Sequence, residues 1–161
     1  MYQEDEIDIL FKLNPHGWST CVLYIMDKTI EFTITNIFGE PIIDLIKALS
    51  DLMKGQNKVS FFWFGEPGGE KIEMNRILTE QHKIIFTASG FKEAFGDEPK
   101  DFDLTIQFEI KLKQLVTIFY LQLRKIYLLL KDKKFAENRA NDFPYQEFRK
   151  FELLVFQYFG D

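Results

Sequence analysis

Cysteine is almost missing from the 161 residues: Cys21 is the only thiol, so no internal disulfide can form. Histidine is scarce as well, with two in the chain, and neither His-Glu-x-x-His nor Cys-x-x-Cys spacing occurs. Zinc is therefore not expected, because its sites draw on clustered thiolates and imidazoles. Other chemical signatures are also lacking. No Gly-x-Gly-x-x-Gly follows a strand, no phosphate loop ends in Gly-Lys-Ser or Gly-Lys-Thr, and no Gly-x-Ser-x-Gly elbow is found. The four serines, Ser19, Ser50, Ser60 and Ser89, have no histidine placed beside them. We expect no catalytic residue, no metal and no cofactor. Long apolar runs are lacking too, far short of the ~20 residues that cross a bilayer, so no membrane span is expected. Met1 to Asp8 carries four acids and no base, which does not fit a secretory leader, and a cytoplasmic location is the expectation.

What the chain does have is phenylalanine: 18 residues, within an aromatic share of 16%. At 46% hydrophobic residues the chain can bury a full core, and its length fits a single domain over 1–161. Net charge is −5, unevenly spread, with −8 over residues 1–103 and +3 over 104–161. An acidic total opposes nucleic-acid binding, which needs a basic footprint. It suits encounter with a basic protein partner.

Period-two alternation marks strands at Ile7 to Leu13, Trp18 to Met26 and Ile30 to Ile34, with Asn14-Pro15-His16-Gly17 as the first turn. Pro41 then opens a helix whose apolar positions are Ile42, Leu45, Ile46, Leu49 and Leu52, and Gly55 stops it. Val59 to Phe64, Ile72 to Ile77 and Lys83 to Ser89 read as strands joined by hairpins. Residues 90–103 read as an acidic surface loop. Leu104, Ile106, Phe108, Ile110 and Leu112 alternate strictly, and a helical period takes over through Leu115, Phe119, Leu123 and Ile126. Lys131-Asp132-Lys133-Lys134 would end that helix, with cations at its negative pole. Phe143-Pro144 opens a last helix with Phe148, Phe151 and Val155 on its buried stripe. The expected fold is α+β: one antiparallel sheet of six or seven strands, one amphipathic helix after the third strand, and two C-terminal helices packed on the sheet.

The most distinctive segment is Phe61-Phe62-Trp63-Phe64-Gly65-Glu66-Pro67-Gly68-Gly69. Four consecutive aromatics on a strand put two on each face, which fits either a sheet covered on both faces or an aromatic surface, with Glu66 at the turn, that suits a protein partner. The acidic loop adds Phe95, Asp97, Glu98, Asp101 and Asp103, in an order that does not match a calcium loop. The expected partner-binding residues are Trp63, Phe64, Glu66, Phe95, Asp97, Glu98, Asp101 and Asp103. Lys111, Lys113, Arg124, Lys125, Lys131, Lys133 and Lys134 look like a basic patch, but they fall on the polar side of one helix and at its end. Cys21, inside an apolar run, reads as a small buried hydrophobe.

Trp18, the Pro41-Ile42-Ile43-Asp44-Leu45 helix start, the strand running into Glu66-Pro67-Gly68 and the Phe143-Pro144 helix start together resemble small bacterial α+β proteins of the immunity-protein type. The chain departs from that pattern at residues 137–142, where a further tryptophan is absent. The resemblance implies an acidic, non-enzymatic partner that neutralises a toxin, and it assigns no catalytic residue. Two other functions stay open at this point. Phenylalanines could line a cavity for a small apolar ligand between sheet and helices, or a carboxylate pair such as Glu66 and Glu73 could do acid–base chemistry.

Overall fold

The computed structural model describes residues 6–93 and 98–160. It is an α+β fold in which seven strands form two antiparallel sheets rather than one. The first sheet is the meander β1 (Ile7–Leu13), β2 (Trp18–Ile25) and β3 (Lys28–Thr35). Helix α1 (Pro41–Met53) follows. The second sheet runs β4 (Lys58–Phe64), β5 (Gly69–Ile77), β6 (Glu80–Phe91) and β7 (Asp103–Lys111) in sequence order. The expected single sheet divides between β3 and β4. The other consecutive strands pair across connections of two to four residues, or eleven between β6 and β7, whereas here residues 36–57 intervene, with α1 among them, and no ladder forms among the described residues.

Helix α2 (Leu112–Leu129) begins at the residue after β7, with Lys111 still extended as its cap. The C-terminal part is more broken than two helices. Lys133 and Lys134 do not close α2 but sit in a four-residue helix α3 (Lys133–Ala136), whose cap Asp132 accepts from the amides of Lys134 and Phe135. A 3₁₀ turn (Ala140–Asp142) leads to α4 (Tyr145–Phe159). This segment is fastened to the end of the first sheet. Arg139 Nε donates to Leu13 O at 2.9 Å, and the His16 amide donates to Asn138 O at 2.9 Å.

One continuous core lies between the strands and the helices. It includes Phe11, Phe86, Phe108, Phe119, Phe148 and Phe151. Most of the excess phenylalanine is thus core packing. At the centre sits Trp63, 1% exposed, with Phe61, Phe11 and Phe32 ring centroids at 5.4, 6.0 and 6.2 Å. Its indole N–H donates to Pro41 O at 3.3 Å. One side chain therefore joins both sheets and the first turn of α1.

Two unpaired sets of backbone groups are also satisfied. The outer edge of β1 is covered by α2: the Phe11 amide donates to Gln122 Oε1 at 3.2 Å, and Lys125 Nζ donates to Phe11 O at 3.0 Å. Burial, together with the neighbouring charge of Lys12, holds the Lys125 ammonium below its ordinary range. The end of α1 is closed by Arg76, whose guanidinium donates to Leu52 O at 2.5 Å and to Gln56 O at 3.3 Å. No helix among the described residues is long and apolar enough to cross a membrane.

Candidate functional site: an aromatic face beside carboxylates

Alternation along β4 turns Phe61 and Trp63 inward and leaves Phe62 and Phe64 half-buried on the opposite face. Register then assembles their neighbours. Phe64, Gly69 and Phe91 lie in one row across β4, β5 and β6, and Phe62, Lys71, Ser89 and Leu104 lie in the next, which extends to β7. Gly69 matters because it has no side chain. A Cβ there would stand 2.9 Å from the Phe91 ring, so glycine lets Phe64 and Phe91 meet edge-on at 5.8 Å. Phe62 meets Phe91 edge-on at 5.9 Å and stacks with Phe102 at 6.3 Å. Phe38, from the loop after β3, meets Phe64 at 5.8 Å. These separations fall within the 4.5–7 Å range in which aromatic pairs attract.

Five phenylalanines from four segments thus form one cluster on a sheet face that the core does not use. Phe91 is its buried base, and Phe38, 61% exposed, is its outermost ring. Ile37 and Leu104 are exposed as well, and Lys71 Nζ stands 5.2 Å from the Phe102 ring centre. Leu104 is a correction. Strict alternation puts it with Ile106 and Phe108 in the core, yet it is 64% exposed while those two are buried. The register slips between Ala88 and Ser89, leaving Thr105 as the extra residue, so Leu104 pairs with Ser89 on the outer face.

The residues expected to bind a partner are placed as follows. Phe64 is in the cluster. Glu66 is exposed at the β4–β5 turn and accepts from Thr35 Oγ1 at 3.4 Å. Glu98, Asp101 and Asp103 are exposed on the segment carrying Phe102. Trp63 belongs to the core and has no surface to offer, because the period of two puts it on the same face as Phe61. Phe95 and Asp97 lie outside the described residues. Phe38 was missed; its signal was an apolar pair, Ile37-Phe38, in a connection otherwise made of polar residues and glycine. No family model, curated protein or solved structure matches this chain.

Catalytic geometry is not assembled around the other candidates. Glu66 lies in the turn, whereas Glu73 is four residues into β5 on the outer face, about 13 Å further on at ~3.3 Å per residue. Burial pushes the Cys21 thiol well above its ordinary range, which leaves it unreactive. Among the described residues no group of His, Cys, Asp and Glu side chains could hold a metal. The supposed basic patch is dispersed. Arg124 pairs with Glu152, Lys125 caps the β1 edge, Lys113 stands over Tyr158 and Phe159, and Lys131 stands over Tyr127.

Between α2 and α4 lies a polar group that periodicity overlooked. Glu152 is 6% exposed on the stripe of Phe148 and Val155. Its carboxylate accepts from Tyr120 Oη at 2.6 Å and from Arg124 at 3.0 Å, with Arg149 at 3.8 Å. Burial first, and then the hydrogen bond to the Glu152 carboxylate and its charge, push the Tyr120 hydroxyl up to about 12. An unfolded tyrosine ionises near pH 10. The native state therefore keeps a proton that the unfolded chain has lost, and this contribution to stability is complete below pH 10 and gone once the pH has risen through about 12. An alkaline titration of tyrosinate absorbance should show a step near pH 12 that Tyr120→Phe removes. A wild-type curve with no such late step would rule this assignment out.

Proposed function

We propose that this chain is a non-enzymatic protein-interaction domain, an immunity-like acidic partner that works in the cytosol and captures a basic protein on the outer face of its second sheet. The observation that carries the reading is the cluster of Phe38, Phe62, Phe64, Phe91 and Phe102 on a face the core leaves unused, with Glu66, Asp101 and Asp103 in the adjoining turn and loop. Aromatic rings are what interface centres are rich in, and a rim of charge speeds encounter with a partner of opposite sign. The described clefts do not favour an apolar ligand. One lies beside the ends of α1 and β4 and the other at the ends of the first sheet, and Phe143 is the one phenylalanine lining either.

The test is capture of a stoichiometric partner from the cell that makes the protein, compared with a Phe38→Ser/Phe102→Ser double variant. These two rings are the most exposed of the five, so the fold should survive. Loss of these two exposed rings should weaken binding by at least tenfold, on the order of 1.4 kcal/mol or more. Binding of the wild type should also weaken as salt rises. A partner held equally well by the double variant, or no partner at all, would end the proposal.

A further inference from the structure

Helix α2 carries Lys113, Arg124 and Lys125 and no acid, although the chain as a whole has a net charge of −5. Its neighbour α4 lies beside it in the opposite sense. Lys113 stands over Phe159, Tyr120 meets Phe156 at 5.9 Å, and Tyr127 meets Tyr145 at 6.4 Å. Glu152 closes the seam between the two helices, accepting from Tyr120 and Arg124. Each helix turns one side to the core, α2 through Leu115, Phe119 and Leu123 and α4 through Phe148, Phe151 and Val155.

Apolar residues continue on the solvent side. Leu121 and Leu128, two turns apart on α2, are 53% and 48% exposed, and Leu153 and Phe156, one turn apart on α4, are 62% and 55% exposed. Residues at these spacings share a helix face, so each pair forms a ridge beside the seam. A single exposed leucine needs no explanation, whereas four large apolar side chains on adjoining ridges mark a contact surface. The exposed charge around them has one sign. Lys113, Lys131 and Arg149 are exposed, and Arg124 is half-buried. Of the two acids of α4, Glu152 is buried and Glu147 lines the cleft beside the start of α1. Apolar ridges rimmed by cations fit an apolar surface rimmed by acids. Two copies of this face would repel one another.

A surface of the complementary kind lies on the same chain. The phenylalanine cluster of the second sheet is exposed at Phe38 and Phe102. In its turn and loop the exposed acids Glu66, Glu93, Glu98, Asp101 and Asp103 outnumber the exposed cations Lys92 and Lys100. This cluster occupies the outer face of the second sheet. Helix α2 packs on the inner face, where Phe86 and Phe108 join Phe119 in the core. The two surfaces therefore look in opposite directions, so one chain cannot close them on itself and one two-fold axis cannot join both pairs at once. What remains is a head-to-tail contact, which leaves an unused face at each end and can grow.

We infer that this chain assembles with itself head to tail, with the Leu121, Leu128, Leu153 and Phe156 ridges of one copy seated on the phenylalanine cluster of the next. The contact shares the aromatic face with the capture of a basic partner but does not depend on that reading. A copy seated on the cluster competes with the partner for it.

Sedimentation equilibrium of the full chain, at concentrations rising to about 0.5 mM, populates contacts as weak as ~100 μM and reads the assembly directly. The weight-average mass should pass that of a dimer, keep rising, and fall back as salt is raised. A Leu121→Ser/Leu153→Ser variant and the Phe38→Ser/Phe102→Ser variant should each self-associate at least tenfold more weakly. All four positions are exposed, and far-ultraviolet circular dichroism checks that the fold is kept. Leu153→Asp, a single change at an exposed position, replaces the helical variant if that one does not fold. Mixed together, the two double variants each retain the face the other lacks, so they should form a one-to-one dimer that does not grow. A wild type that stays monomeric, an assembly that stops at a dimer, either variant assembling like the wild type, or a mixture without the dimer would overturn the inference. A monomeric wild type that still captures its basic partner would strike this inference alone and leave the proposed function standing.

Discussion

Trp63→Ala should cost about 3–5 kcal/mol, the range for removing a large buried aromatic. Domains of this kind have ~5–15 kcal/mol of stability in all, so the variant should be close to unfolded or lose a large part of its urea midpoint. The size of the effect follows from what the ring touches. Phe11 and Phe32 belong to the first sheet, Phe61 to the second, and Pro41 to α1, and among the described residues no ladder of hydrogen bonds joins the sheets. Truncation would leave a cavity where these elements meet. Trp63→Phe separates packing from hydrogen bonding, because it keeps a ring but removes the donor to Pro41 O. That change should cost about 1–2 kcal/mol, a lost hydrogen bond plus a small volume deficit. Urea unfolding followed by far-ultraviolet circular dichroism measures both variants without relying on the indole signal. A loss below ~1.5 kcal/mol for Trp63→Ala would mean that the sheets are joined by something else.

The strands were legible wherever one face is dry and the other wet. In β1, Ile7, Ile9, Phe11 and Leu13 are all buried, as a period of two requires. The helix α1 was legible for the same reason, with Pro41 at its start and apolar residues on one face. The division of the sheet was not, because side-chain periodicity says which face a residue uses and nothing about which strand lies beside it. Leu104 shows the same limit at a smaller scale. One extra residue at Thr105 reverses the parity, and no local composition announces it. In the four-aromatic strand, alternation separated the two pairs, but which pair faced the core depended on where α1 would pack. The surface pair was Phe62 and Phe64, so Trp63 was misplaced as a contact residue. Glu152 could have been found, since it occupies a buried position on the stripe with Phe148 and Val155, one turn from each.

Gly68→Ala should lower the melting temperature by about 10 °C and weaken the aromatic face at the same time. Two costs add. Gly68 sits at φ +76°, where a side chain costs ~1–2 kcal/mol. The new Cβ would also stand 2.3 Å from Phe91 O and 2.6 Å from Lys92 O, both backbone atoms that cannot swing aside. Overpacking of that kind costs ~1–3 kcal/mol, and each kcal/mol is worth ~2–4 °C in a domain of this length. Gly55→Ala is the control, since Gly55 also has positive φ, +107°, but nothing lies within 4 Å of its Cβ position. It should show the strain cost without the collision. The difference between the two variants therefore measures how closely the β4–β5 turn is pressed against the end of β6. That pressure keeps Phe64, Gly69 and Phe91 in one row, so Gly68→Ala should also weaken partner capture while Gly55→Ala leaves it unchanged. Equal melting temperatures for the two variants would mean that the turn yields freely, and the row of rings would then need another support.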